Sequence, residues 1–262
     1  MNGRCAYCGG PPPFTKEHVW PSGICERLAD YTLRYSSKVN KVFGADLTIR
    51  DVCARCNNET LSELDEYFCG LFDSNFAHAI RSDQFVEFNY DFGRLARSLL
   101  KVSYNAARIT GVDTDRFARY APVILSPDSS PVGLIIKLAT ISPTIVLSKN
   151  REFIKEIPSH GVRCGAIAVP SRSRLGLAVK IVQINSYRFY VVVLDDISEK
   201  ARAMSYLSDL KGSRITPIGL TTVSEPCLHA IEALDGIQHW PVKVHRERLS
   251  KRSGGRSVGL DH

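Results

Sequence analysis

The first 75 residues show three successive patterns of hydrophobic and polar positions. Phe14 to Val19 has the length and composition of a short β-strand, and residues 45–52 alternate apolar and polar side chains as a half-buried strand does. Behind Cys56, apolar residues recur at helical spacing at Leu61, Leu64, Phe68, Leu71 and Phe72. The pattern predicts the order strand, strand, helix, in which the two strands form the arms of a long-looped hairpin.

The rest of the chain combines one long helical pattern with several strand patterns. From Phe92 to Ile109 the apolar residues at helical intervals are Leu95, Leu99, Val102 and Ala106. Two apolar runs flank Asn185-Ser186 and predict a β-hairpin, and other short apolar runs predict further strands. We therefore expect an antiparallel sheet with flanking helices, which is an α+β fold.

Composition and charge exclude several classes of protein. The chain has 262 residues, of which 44% are hydrophobic, so it can bury a proper core and is not a disordered protein. No apolar stretch approaches the roughly eighteen residues of a membrane span, and the first residues lack the apolar core of a secretion signal. These features predict a soluble, cytoplasmic protein. The net charge of +7 is compatible with a phosphate-rich partner, but a solvated basic surface would give the same balance.

Two Cys-x-x-Cys pairs, Cys5/Cys8 and Cys53/Cys56, have the spacing of a metal site. Each pair presents two sulfurs from one turn of backbone, and four thiolates are the ligand set of a closed, tetrahedral structural Zn²⁺ site. The alternatives are two disulfides or free buried thiols. Zinc is the favoured interpretation.

A candidate reaction centre lies between the two pairs. Phosphodiester hydrolysis needs a base that takes a proton from water and a hard cation that stabilises charge on the phosphoryl oxygens. Glu17 and Asn57 offer oxygen ligands for Mg²⁺ or Mn²⁺, and His18 can act as the base near neutral pH. In the simpler interpretation His18 is scaffolding, Asn57 caps the helix, and Glu17 pairs with Lys16, Arg50 or Arg55.

The segments C-A-Y-C, T-K-E-H-V-W-P and V-C-A-R-C-N-N-E together resemble the HNH endonuclease superfamily, the ββα-metal nucleases, in its branch with two zinc knuckles around a Glu-His core. The resemblance covers residues 5–72 and implies a bacterial or phage endonuclease that cleaves DNA, with RNA as another possible substrate. By position, Glu17 and Asn57 match ligands of the catalytic Mg²⁺ or Mn²⁺ and His18 matches the general base. The matches to the structural zinc ligands are Cys5, Cys8, Cys53 and Cys56.

Two positions depart from the family pattern. The Asn that lies before the second cysteine pair and orients the catalytic imidazole has no counterpart, so a backbone carbonyl is expected to hold His18 instead. Four residues along the helix from Asn57, where some members carry another ligand, the chain has Leu61. We assign Asn58 to the helix cap or the surroundings of the site and regard Glu59 as a weaker metal candidate.

The expected organisation has three parts. Residues 1–75 form the zinc-stabilised ββα-metal HNH domain, residues 76–240 form a mixed α+β domain that positions the target, and residues 241–262 form a basic, flexible tail. Four residues on or near the polar side of the long helix are candidates for binding nucleic-acid phosphates, namely Arg94, Arg97, Lys101 and Arg108.

Two other functions fit the same sequence. The first is a zinc-dependent nucleic-acid-binding protein without catalysis, which the missing Asn favours. The second is a regulated defence effector whose C-terminal domain is a sensor. The oligomeric state is not indicated by any of these patterns.

Overall fold

The computed structural model describes residues 3–28, 34–36, 41–43, 47–82, 84–159, 161–167, 175–223 and 228–229. The predicted basic tail, residues 241–262, lies outside this range, as do residues 230–240 of the predicted second domain. No helix in the described part of the chain combines the length and apolarity needed to cross a bilayer.

The N-terminal region has the predicted order of strand, strand and helix. Strand β1 (Phe14–His18) pairs antiparallel with β4 (Thr48–Cys53), and the register shifts between Thr15 and Glu17. A π-helical segment, Cys56–Leu61, follows and continues into α2 (Ser62–Leu71) and a second π-helical segment, Phe72–Phe76. Between β1 and β4 lie α1 (Ser22–Arg27), β2 (Arg34–Ser36) and β3 (Lys41–Phe43).

The long helix α3 (Phe92–Thr110) lies at the centre of the molecule. Asp91 caps its start by accepting a hydrogen bond from the Arg94 N–H at 2.8 Å, and Gly111 ends it in the left-handed conformation. Every residue of α3 from Leu95 to Ala107 is buried, because other elements cover all of its faces. The neighbouring elements are β5 (Val86–Asn89), α4 (Thr114–Ala118) and α5 (Ala121–Leu125).

A mainly antiparallel sheet packs against α3. Its strands lie in the order β12 (Ser213–Arg214), β6 (Leu134–Ser142), β11 (Tyr187–Leu194), β10 (Leu177–Ile184) and β9 (Val162–Ile167), and β14 (Leu228–His229) pairs parallel with β6. The predicted hairpin around Asn185-Ser186 is confirmed as the pair β10–β11.

Both faces of the central strand β11 are buried. Phe189 and Val191 join the larger core, whereas Tyr190 and Val192 join a smaller core, because successive side chains of a strand point to opposite faces. On the second face lies α6 (Lys200–Tyr206), which contributes Ala203. The remaining strands are β7 (Thr144–Leu147), paired with β8 (Phe153–Ile157), and β13 (Leu220–Val223), paired with β5.

The larger core is continuous across residue 75, where the sequence predicts a domain boundary. The ring of Phe76 lies 6.0 Å from that of Phe68 in α2 and 6.0 Å from that of Phe189 in β11, measured between centroids. The fold is therefore a mixture of helices and antiparallel sheets, in agreement with the α+β expectation, and its N-terminal region shares one core with the sheet.

Candidate functional site at the end of the first strand

Four cysteine sulfurs converge beside the β1–β4 pair. The ligand atoms of Cys5, Cys8, Cys53 and Cys56 all lie within 4.8 Å of one another. The sulfurs of Cys8 and Cys53 are 3.7 Å apart. Zn–S bonds of about 2.3 Å in a tetrahedron place two sulfurs about 3.8 Å apart, so the spacing fits this ion. Cys5, Cys8, Cys53 and Cys56 form no disulfide, and the four-cysteine cluster could hold a metal such as zinc.

Backbone N–H groups and burial set the protonation of these thiols. The Cys53 N–H donates a hydrogen bond to the sulfur of Cys5 at 3.3 Å. Burial raises the pKa of Cys5, but backbone hydrogen bonds from Cys53, Cys8 and Tyr7 outweigh it and lower the pKa to about 7. Burial and the neighbouring sulfurs raise the pKa of Cys56 well above its usual value. A bound divalent cation would offset this cost, because coordination deprotonates a thiol.

The carboxylate of Glu17 lies in the core. Its side chain is 2% exposed, and Oε1 accepts hydrogen bonds from Lys101 Nζ at 2.8 Å and from Asn105 Nδ2 at 3.0 Å. Lys101 is 1% exposed and also pairs with the carboxylate of Asp65. An ammonium group beside Glu17 satisfies one of its oxygens and repels a second cation. This environment does not fit Glu17 as an open ligand of a divalent ion, and the surface partners considered from sequence are replaced by a buried lysine.

His18 is the last residue of β1 and lies opposite Thr48. It is half-buried, and its backbone carbonyl accepts a hydrogen bond from Asn105 Nδ2 at 2.8 Å. Burial raises the pKa of Asp65, whereas Lys101 and, to a smaller extent, His18 lower it. The imidazole therefore lies within electrostatic reach of the Asp65 carboxyl group.

Asn57 ties the start of the helical segment to β1. Its Nδ2 donates hydrogen bonds to Thr15 Oγ1 at 2.9 Å and to the Lys16 carbonyl at 2.8 Å. It does not act as a helix cap, because Arg55 occupies that position and its side chain makes no capping bond. Since Nδ2 makes these two bonds, the carbonyl oxygen of the Asn57 side chain is the atom that remains for a ligand.

The neighbouring candidates Asn58 and Glu59 are exposed. Glu59 lies 3.7 Å from Arg55 one helical turn away, in a surface ion pair of the kind that contributes little to stability. Neither side chain lies with Glu17 in the core.

Three of the four basic candidates on α3 do not form the exposed surface that the sequence predicts. Arg97 is 8% exposed and its Nε donates to the Ile124 carbonyl at 2.9 Å. Lys101 holds the two carboxylates described above. The guanidinium of Arg108 pairs with Asp51, and its carbon lies 5.2 Å and 4.7 Å from the ring centroids of Tyr7 and Tyr104. Arg94 alone of the four is exposed, because the rest of the polar side of α3 packs against other elements.

The sequence interpretation gave Lys101 a different role and missed the other residues that surround Glu17 and His18, chiefly Asn105, Asp65 and Tyr7. A signal was present in α3, where polar residues between Leu95 and Ala107 occur on several faces of the helix. A helix with this pattern has buried polar side chains, and those need partners.

Among the described residues, the four cysteines are the single group of three or more His, Cys, Asp or Glu side chains close enough to hold a metal. The catalytic divalent ion that the sequence predicts therefore has no preformed cluster of such ligands in this part of the chain. Comparison with protein-family models, curated proteins and solved structures gave no match for this chain.

Proposed function

We propose that this protein is a zinc-stabilised HNH-type endonuclease that hydrolyses phosphodiester bonds of DNA with His18 as the general base. The observation that carries the proposal is the pair of hydrogen bonds from Asn57 to Thr15 and Lys16. These bonds bring the start of the helix against the strand that ends in His18, beside four converging sulfurs. The arrangement of two antiparallel strands, a helix and a sulfur cluster supports a ββα-metal site.

In this mechanism His18 takes a proton from a water molecule whose oxygen attacks phosphorus. The P–O3′ bond breaks, the 3′ oxygen takes a proton from solvent, and the products carry a 5′-phosphate and a 3′-hydroxyl. A Mg²⁺ or Mn²⁺ ion, when bound, would stabilise charge on the phosphoryl oxygens. The side-chain oxygen of Asn57 would hold this ion together with waters and substrate phosphate, whereas Glu17 remains paired with Lys101.

Nicking of supercoiled plasmid by the purified, zinc-loaded protein tests the proposal. We expect cleavage with Mg²⁺ or Mn²⁺, no cleavage with a chelator of these ions, and a fall of about 100-fold or more for His18→Ala. The matched control is His78→Ala, which removes an exposed imidazole outside the site and is expected to retain full activity. Equal nicking by wild type and His18→Ala would refute the mechanism.

The buried Glu17–Lys101 pair favours a second candidate, a zinc-dependent nucleic-acid-binding protein without catalysis. In that case the carboxylate that would hold the catalytic ion serves the fold instead. Wild-type protein that retains DNA or RNA in a salt-dependent manner, loses this binding without zinc, and never nicks plasmid would establish the second candidate over the first.

A further inference from the structure

Asn105 lies in the middle of α3, outside the segment that resembles the nuclease family, and its side chain is fully buried. Its Nδ2 donates to Glu17 Oε1 at 3.0 Å and to the His18 carbonyl at 2.8 Å. Its Oδ1 accepts from the Tyr7 hydroxyl at 2.6 Å and from the Arg108 guanidinium. Both amide protons and both acceptor positions of the carboxamide are therefore used.

These partners allow one orientation of the carboxamide. Tyr7 and Arg108 present donors to Oδ1, whereas Glu17 and His18 present acceptors to Nδ2. Reversing the group would direct an NH₂ at a guanidinium and an oxygen at a carboxylate, leaving buried polar groups unsatisfied. The side chain is thus locked by its surroundings.

The two acceptors belong to the consecutive residues Glu17 and His18, so Asn105 holds the end of β1, which carries the candidate base. His18 is paired with Thr48 on one side, and the next N–H, that of Val19, donates to the Leu47 carbonyl at 3.0 Å. With the carbonyl of His18 also fixed, the position of its Cα is defined by contacts to both α3 and the β4 side of the hairpin.

The other end of this connection is the loop that carries the first cysteine pair. Tyr7 lies between Cys5 and Cys8, and its hydroxyl donates to Asn105 Oδ1 at 2.6 Å. The Tyr104 hydroxyl also donates to the Ala6 carbonyl at 3.1 Å. The Asn105 side chain therefore joins the loop that carries the first cysteine pair to His18. It accepts a hydrogen bond from the Tyr7 hydroxyl and donates one to the His18 carbonyl.

We propose that Asn105 is a positioning residue for His18 and that Tyr7 anchors it to the four-cysteine loop. The expected effect on cleavage rests on the proposed function, whereas the effect on the placement of the imidazole does not. Asn105 contacts neither substrate nor reacting atoms in this scheme and acts through His18.

A double-mutant cycle on plasmid nicking separates positioning from general destabilisation. We expect Asn105→Ala to lower kcat by about 100-fold with KM changed less than about twofold, because small misplacement of a catalytic group is costly. Combined with His18→Ala, it should cause no further loss, since both changes remove the same contribution. The matched control is Ser103→Ala in the same helix, whose buried hydroxyl makes no hydrogen bond within the described residues and which should retain wild-type rates. A further loss in the double variant, or a loss confined to KM, would overturn the proposal.

The imidazole signals of His18 in NMR spectra give a readout that does not require cleavage. They are assigned as the signals that disappear in His18→Ala, and both Asn105→Ala and Tyr7→Phe should shift them while Ser103→Ala should not. Tyr7→Phe removes a single hydroxyl and should lower kcat by about fivefold. If Asn105→Ala fails to fold, this milder variant still tests whether the Tyr7–Asn105 connection positions His18. Unchanged His18 signals in the folded variants would overturn the positioning role. Wild-type protein that never cleaves would instead refute the proposed function, and the NMR result would still decide the role of Asn105.

Discussion

The ammonium group of Lys101 lies 2.8 Å from the carboxylate of Glu17, and the two side chains are only 1% and 2% exposed. Lys101 comes from α3 and Glu17 from β1, so the pair joins the central helix to the strand that carries His18. Asp65 of α2 contacts the same ammonium and completes a connection among three elements. This connection links the fold of the N-terminal region to the geometry of the candidate site.

Lys101→Met is expected to lower the free energy of unfolding by about 3–5 kcal/mol. Removing the ammonium leaves the carboxylates of Glu17 and Asp65 without their shared cation, and an unpaired buried charge is strongly unfavourable. Urea denaturation at neutral pH measures the change, with the exposed Lys16→Met as the matched control. A loss of less than about 0.5 kcal/mol, the range of ordinary surface substitutions, would show that the pair does not stabilise the fold.

Purified protein is expected to contain one zinc ion per chain, held by the four-cysteine cluster. Cys8→Ser should lose this ion and at least about 3 kcal/mol of stability, because metal binding contributes directly to folding. For a chain of this size the midpoint of thermal unfolding should fall by about 6–12 °C. Metal analysis and thermal unfolding measure the two effects, and Cys164→Ser, which lies outside the cluster, should retain the metal. Equal zinc content in the two variants would rule out the site.

The salt dependence of DNA binding should distinguish Arg94 from Arg97. Arg94 is exposed, so Arg94→Gln should reduce the slope of log K against log salt concentration by about one if it neutralises one phosphate. Arg97 is buried against the Ile124 carbonyl, so Arg97→Gln should leave the slope unchanged and destabilise the fold by about 1–3 kcal/mol. A reduced slope in Arg97→Gln would contradict the buried role assigned to this residue.

Stability at low pH should depend on Asp195, which pairs with Arg116 and Arg119 after the end of β11. The hydrogen bond from Arg116, assisted by that from Arg119, outweighs burial and holds the pKa of Asp195 below its usual 3.8. A lowered pKa means that the folded state binds this proton less tightly than the unfolded state, so the stabilisation is complete above pH 3.8 and is lost as the pH falls through the folded value.

Asp195→Asn should therefore cost about 0.5–1 kcal/mol at pH 5–8, a small value because the pair is partly exposed to solvent. The difference from wild type should shrink below pH 4. Urea titrations across this range measure it, and Asp128→Asn, which changes an exposed aspartate, is the control. A difference that grows on acidification would show that the pKa of Asp195 is not lowered in the folded state.

Local patterns predicted the local structure well. The strand expected from Phe14 is observed as Phe14–His18, the helix expected from Phe92 as Phe92–Thr110, and the hairpin around Asn185-Ser186 as the pair β10–β11. Apolar periodicity identifies these elements because it reports which face of each is buried. It does not report what covers the polar face, and the short elements α4, α5 and α6 gave too little periodicity to be predicted.

Some features of the candidate site were likewise predictable from local sequence, and others depend on residues far along the chain. The Cys-x-x-Cys spacing of each pair is a local property, and it predicted the four-cysteine cluster, although the convergence of the two pairs depends on the β1–β4 register. From sequence, Glu17 was expected to hold a catalytic ion or to pair at the surface with Lys16, Arg50 or Arg55. Its buried state follows from Lys101 and Asn105, which α3 brings from far along the chain.

The sequence by itself therefore determined the strand, strand, helix order of the N-terminal region, the α+β class and the two cysteine pairs, since each depends on patterns among residues a few positions apart. The tertiary structure alone decided which charged groups face solvent and which satisfy one another in the core. The physical reason is that a buried charge is tolerated where an opposite charge or a hydrogen-bond partner meets it, and such partners come together when distant segments pack. Asn105 contacts the His18 carbonyl, and Lys101 contacts the Glu17 carboxylate, only when α3 packs against β1.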